Sequence, residues 1–128
     1  MPTGGASHHG SVTAFRLISL PMHAALELLT GLALMIAPFA LSFGPGGTVV
    51  TVALGAVLAG LALAGAGEPA GLRVATHFAF DQTIVVVLVG SAVAVGLAGD
   101  RGAAVTLAAA SAAQLALSLT TRYSVRGA

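Results

Sequence analysis

Four long stretches of this chain carry almost no charge, and short breaks rich in Gly, Pro or charged residues separate them. The first runs from Pro21 to Phe43 and is broken only by Glu27. The second, Thr48 to Ala66, holds no charge; the third, from about His77 to Ala98, is broken by Asp81; the fourth runs from Ala103 to Thr120. A helix needs about 20 apolar residues, at about 1.5 Å each, to cross a hydrocarbon core of about 30 Å. Each stretch meets that length. Gly44-Pro45-Gly46-Gly47, Gly67 to Arg73, and Gly99-Asp100-Arg101-Gly102 are places where a helix is expected to stop.

Other solutions to burying so much apolar surface fail. A helix buried in a soluble bundle needs amphipathic neighbours to cover it, and no segment here has a charged face. A membrane barrel alternates apolar and polar residues, whereas Val85-Val86-Val87-Leu88-Val89 is continuous. Only 7% of the 128 residues are charged and 57% are hydrophobic. A soluble domain is about a quarter charged, and a disordered chain is poorer in apolar residues. A net charge of +1 supplies no field for nucleic acid, which is not expected as a partner. The absence of Cys rules out disulfides and thiolate metal sites.

The expected fold is therefore all-α, a four-helix transmembrane bundle. Its parts are a flexible tail over 1–19, a first two-helix unit over 20–66 (spans about 21–43 and 48–66), a loop over 67–76, a second unit over 77–121 (spans about 77–98 and 103–120), and a tail over 122–128. One cation precedes the first span, Glu27 lies within it, and no small-x-small cleavage site follows it, so the span is expected to be retained rather than removed as a signal peptide. With an even number of spans, Arg16, Arg73, Arg122 and Arg126 fall on one side and only Arg101 on the other. The positive-inside rule places the first side, with both termini, in the cytoplasm. Richness in Ala, Gly, Val and Arg without Lys or Asn suits a GC-rich bacterial genome, hence a bacterial inner membrane. The lipid bilayer is the first expected partner, and self-association or a larger membrane complex the second.

Lipid tails are as apolar as Leu, so helices in a membrane associate through close contact of small residues. The spacing predicts such contacts along Ala56, Gly60 and Ala64, along Gly90, Ala94 and Ala98, and along Ala109 and Ala113. Gly60 and Gly90 are the candidate packing positions. Pro38 is a third notable position, where a missing N–H interrupts the helix ladder. Gln114 is expected to face another helix rather than lipid.

The halves also look related. A shift of 54 residues lays His23 on His77, Glu27 on Asp81, and Leu61-Ala62-Leu63 on Leu115-Ala116-Leu117. Two degenerate two-helix repeats of this kind imply a pseudo-symmetry axis along the membrane normal. The segment Gly31 to Phe43 resembles the first helix of the SPW-repeat membrane proteins, whose repeat is a pair of transmembrane helices with Ser-Pro-Trp near the end of the first. Ala37-Pro38-Phe39 stands in that place, with only the Pro identical, and Ser91-Ala92-Val93 is its counterpart in the second half. The resemblance implies a small bacterial four-span membrane protein and brings no activity, cofactor or site residue with it. The layout alone also fits a DoxX-like four-helix protein.

Charged groups inside a membrane are costly, which singles out Glu27 and Asp81. Each follows a His, His23 or His77, by four residues, a spacing that shares one helix face. Three roles fit such pairs. In the first they are interhelical glue, bonded within the bundle to neighbours such as Thr30, Gln82 or Thr83 and favoured by the positive helix N-termini. In the second, the runner-up, they relay protons or cations from the cytoplasmic side. The third is a metal site, but spacing alone does not supply its geometry and no metal or cofactor is assigned. There is no HExxH, phosphate loop, GxSxG elbow or dinucleotide fingerprint, so no enzyme class is expected. A structural or accessory membrane component is the leading expectation, and a small proton- or cation-linked transporter or channel the alternative.

Overall fold

A computed structural model describes the backbone of residues 18–66 and 70–121 and the side chains of 18–65 and 78–121. Four helices follow one another: α1 (Leu20–Leu41), α2 (Pro45–Ala66), α3 (Ala70–Leu97) and α4 (Arg101–Thr120). Among the described residues there is no strand, only an isolated parallel bridge between Ile18 and Thr121. All four helices are long and apolar enough to cross a membrane. Their outward faces carry Phe39, Val86 and Leu97, while His23, Glu27, Asp81 and Gln114 point inward. That inside-out distribution is consistent with a small multi-pass membrane protein in contact with lipid.

The ends of the helices follow from local chemistry. Ser19 caps α1, its hydroxyl accepting from the Met22 N–H, and Pro21 sits in the first turn, where no intrahelical N–H is needed. Ser42 closes α1 in the left-handed region at φ 56°, and the Pro38 carbonyl accepts from the N–H groups of Ser42 and Phe43. Asp100 caps α4: one carboxylate oxygen accepts from Ala103 N–H at 3.0 Å, and the other accepts from Gly44 N–H at 2.8 Å. A single side chain thereby ties the α1–α2 turn to the α3–α4 turn. α3 starts at Ala70, so most of the loop expected over 67–76 is helix. After Pro69, the segment Ala70-Gly71-Leu72-Arg73 contains three good helix formers and only one Gly to oppose them.

α1 packs most extensively on α2, and α3 on α4; α4 also leans on α1. Leu34, Leu58, Ile84, Leu88, Val95, Ala103 and Leu107 lie in the apolar core. The backbones of α1 and α2 approach closely at Gly31 and Gly55. A Cβ at Gly31 would lie 2.7 Å from the Gly55 carbonyl oxygen, and one at Gly55 would lie 2.5 Å from the Gly31 carbonyl oxygen. The two backbones therefore touch, as small residues in a membrane permit.

The rows expected to pack point elsewhere. Gly60 and Gly90 are exposed, a Cβ at either would meet nothing within 4 Å, and their companions Ala56, Ala64, Ala94, Ala98, Ala109 and Ala113 are exposed as well. In a chain so rich in Ala and Gly, a four-residue spacing of small residues does not select the buried face. The inward polar residues do select it: on α1 the buried row is His23, Glu27, Gly31, Leu34 and Pro38. Pro38 is thus buried, and α1 continues through it to Leu41.

Candidate functional site

Buried polar side chains of α1, α3 and α4 gather toward the end of the bundle where Ile18 and Thr121 meet. His23 lies in the first turn of α1 and Glu27 one turn further, so both point off the same face. α3 contributes Asp81 and α4 contributes Gln114, while Thr121 stands immediately after α4. His23 is 1% exposed, and Glu27, Asp81, Gln114 and Thr121 are 0% exposed. His23 Nε2 lies 3.0 Å from Asp81 Oδ2 and 3.5 Å from Glu27 Oε2. The Gln114 amide nitrogen donates to Glu27 Oε2 at 2.8 Å and to Asp81 Oδ1 at 3.3 Å. One imidazole and two carboxylates thus share a site in which one ligand-type atom from each lies within 4.8 Å of the others.

The hydrogen-bond chain fixes the tautomer of His23. The Thr121 hydroxyl donates to the Leu117 carbonyl, which can only accept. Its single proton is then committed, so at 2.6 Å Thr121 Oγ1 accepts from His23 Nδ1–H. Nδ1 carries the fixed proton, and Nε2 is the nitrogen turned toward the two carboxylates. If both acids are ionised, the centre has a formal charge of −2 with a neutral imidazole and −1 with an imidazolium. Either charge is expensive in a low-dielectric interior unless something positive offsets it.

Helix dipoles do not supply that offset. Their effect fades beyond the first turn. Glu27 lies two turns into α1, and Asp81 lies three turns into α3 because that helix begins at Ala70. The expected help from positive helix N-termini is therefore absent for both groups. Thr30 and Thr83, considered as partners, instead return their hydroxyls to their own helices at Leu26 O and Ala79 O, each at 2.9 Å.

Of the four residues singled out in sequence, His23, Glu27 and Asp81 converge. His77 lies on α3 one turn before Asp81, and its side chain lies outside the described residues. Gln114 faces the interior as its residue type requires. Sequence reasoning missed Thr121: its contact with His23 spans 98 residues, and only its position as a polar group at the end of a span hinted at it. No protein family, curated protein or solved structure matches the chain.

Proposed function

We propose that this protein holds exchangeable positive charge at the His23–Glu27–Asp81 centre, as a small proton- or cation-linked component of a bacterial inner membrane with both termini cytoplasmic. The observation that carries this reading is the convergence of three fully buried ionisable groups from two different helices. Helix association alone does not call for them, because Ser, Thr and Gln side chains tie membrane helices together without the cost of burying charge. The centre lies about two turns from the end of the bundle where both ends of the described chain meet, within reach of the aqueous phase on that side. The one-sided distribution of Arg residues supports the orientation. The likeness of Gly31 to Phe43 to an SPW-repeat helix supports the bacterial four-span setting.

A structural or accessory role is the second reading. It is favoured by Gln114 and Thr121, whose bonds tie α4 and its C-terminal end to α1 and α3. Vesicle reconstitution separates the two. The wild-type chain and a Glu27→Gln/Asp81→Asn double variant are compared for dissipation of imposed proton and cation gradients, with helix content and particle size as controls. Flux in wild type that falls at least about tenfold in a folded double variant supports the charge-linked reading. No flux from folded, inserted wild type overturns it and leaves the structural one.

A further inference from the structure

We propose that the centre is a binding site for one divalent first-row transition-metal ion, held by His23 Nε2, one oxygen each of Glu27 and Asp81, and Gln114 Oε1. This rests on the reading of the centre as a holder of positive charge, and it names the charge carrier.

Ligand spacing is the first argument. An ion with bonds of about 2.1 Å sets neighbouring ligand atoms about 3.0 Å apart in an octahedron and about 3.4 Å apart in a tetrahedron. Here His23 Nε2 stands 3.0 Å from Asp81 Oδ2 and 3.5 Å from Glu27 Oε2, while the Gln114 amide stands 2.8 Å and 3.3 Å from the two carboxylates. Three of these contacts, Asp81 Oδ2 to His23 Nε2, His23 Nε2 to Glu27 Oε2, and Glu27 Oε2 to the Gln114 amide, have the lengths of polyhedron edges; the fourth reaches the other Asp81 oxygen, Oδ1.

Gln114 supplies an independent observation. Its Oε1 is buried and has no hydrogen-bond partner, although the nitrogen of the same amide sits between the two acids. No hydrogen bond on the oxygen side of the amide opposes its turning over. Turning the amide over places that oxygen where the nitrogen now stands and completes a set of one nitrogen and three oxygens. In this state the carboxylates bond to the ion instead of the amide N–H.

The surroundings of His23 fit the same purpose. Metal-ligating imidazoles characteristically donate their second N–H to a fixed acceptor, which sets the tautomer and aims the other nitrogen at the ion. Thr121, itself anchored on the Leu117 carbonyl, plays that part. Charge also balances: two carboxylates and a neutral imidazole sum to −2, and a divalent ion brings the buried centre to zero.

The donor set selects the class of ion. Calcium takes six to eight oxygens at about 2.3–2.6 Å, more ligands and longer bonds than this site offers, and magnesium retains several waters that a fully buried centre has little room for. Imidazole with carboxylates suits zinc, manganese or ferrous iron, and the chain has no thiolate to draw softer ions.

The test uses the full chain, purified in detergent, stripped of metal and titrated with Co²⁺ followed by visible absorption. One Co²⁺ per chain is expected, displaceable by Zn²⁺. X-ray absorption of the wild-type zinc form should show one imidazole nitrogen and oxygen ligands at about 2.0–2.2 Å, a readout that needs no variant. Thr121→Val keeps all four proposed ligands, removes the acceptor of the His23 Nδ1–H, and should weaken binding about ten- to a hundredfold. A His8→Ala/His9→Ala variant should bind as wild type does. The proposal is overturned by folded wild type that takes up no stoichiometric Co²⁺, by uptake that persists in the folded Glu27→Gln/Asp81→Asn variant, or by uptake lost with His8 and His9. If Co²⁺ is refused while vesicle flux still depends on Glu27 and Asp81, the metal proposal falls and the charge-linked reading stands. If Co²⁺ binds at the centre and no gradient is dissipated, the metal site stands and transport falls.

Discussion

In α2 the buried row runs through Gly47, Thr51, Gly55, Leu58 and Ala62; in α4, 56 residues further on, it runs through Ala103, Leu107, Ser111, Gln114 and Ser118. The two rows match position for position and are filled differently. α2 places Gly55 where α4 has Ser111, and Leu58 where α4 has Gln114. The glycine lets α2 lie against the backbone of α1 at Gly31, so that contact is closed by van der Waals packing. The amide carries α4 into the polar centre, where it bonds to acids from α1 and α3. One buried row thus serves close packing in one hairpin, at Gly55, and polar bonding in the other, at Gln114.

The comparison can be broken first at its polar side. His23→Leu removes the only imidazole between the two acids among the described residues and leaves buried carboxylates facing each other. A loss of about 3–5 kcal/mol is expected, the range for an uncompensated buried charge, measured by denaturant titration in micelles with circular dichroism. The packing side comes next. Gly55→Leu forces a side chain into the Gly31 carbonyl, a backbone atom that cannot swing aside, and should cost about 1–3 kcal/mol in the same assay. A smaller Gly55→Leu effect than that of His23→Leu would confirm that the polar centre dominates cohesion; the reverse ranking would place it in the glycine contact.

At the other end of the bundle, Asp100→Ala removes the α4 cap and the acceptor for Gly44 N–H and should cost about 1 kcal/mol. Faster amide exchange should then appear at both Gly44 and Ala103, because one carboxylate serves both. The smallest effect belongs to the outward rows. Gly60→Ala and Gly90→Ala should each stabilise their helix by up to about 1 kcal/mol, since alanine is the better helix former and no atom lies in the way. Destabilisation at either position would show that these faces are covered by something outside the chain.

The spans were legible because apolar length is a local property that the bilayer reads directly. Glu27, Asp81 and His23 were legible for the complementary reason, that ionisable groups within such spans have to turn inward. The packing face was not, because small residues recur on every face of these helices and their spacing carries no direction. Extending the row of His23 and Glu27 by one turn would have reached Gly31, the true contact. In sequence alone, a shift of 54 residues lays His23 on His77 and Glu27 on Asp81. The buried rows of α2 and α4 correspond at 56, so the single shift lays the exposed Leu115-Ala116 on Leu61-Ala62. For Thr121 the sequence offered only a polar group at the end of a span, since its place beside His23 depends on how the first and last helices meet.

That meeting has a consequence for how the gene could be rearranged. Ile18 N–H donates to the Thr120 carbonyl at 3.0 Å, so the start and finish of the helical body lie side by side. Ligating them with a short linker and opening the polypeptide between α2 and α3 would produce a circular permutant ordered α3–α4–α1–α2. Its strand of amino acids would be reshuffled, yet it would traverse the bilayer the same number of times, enter from the same face, and assemble its inner quartet of His23, Glu27, Asp81 and Gln114 from the same walls.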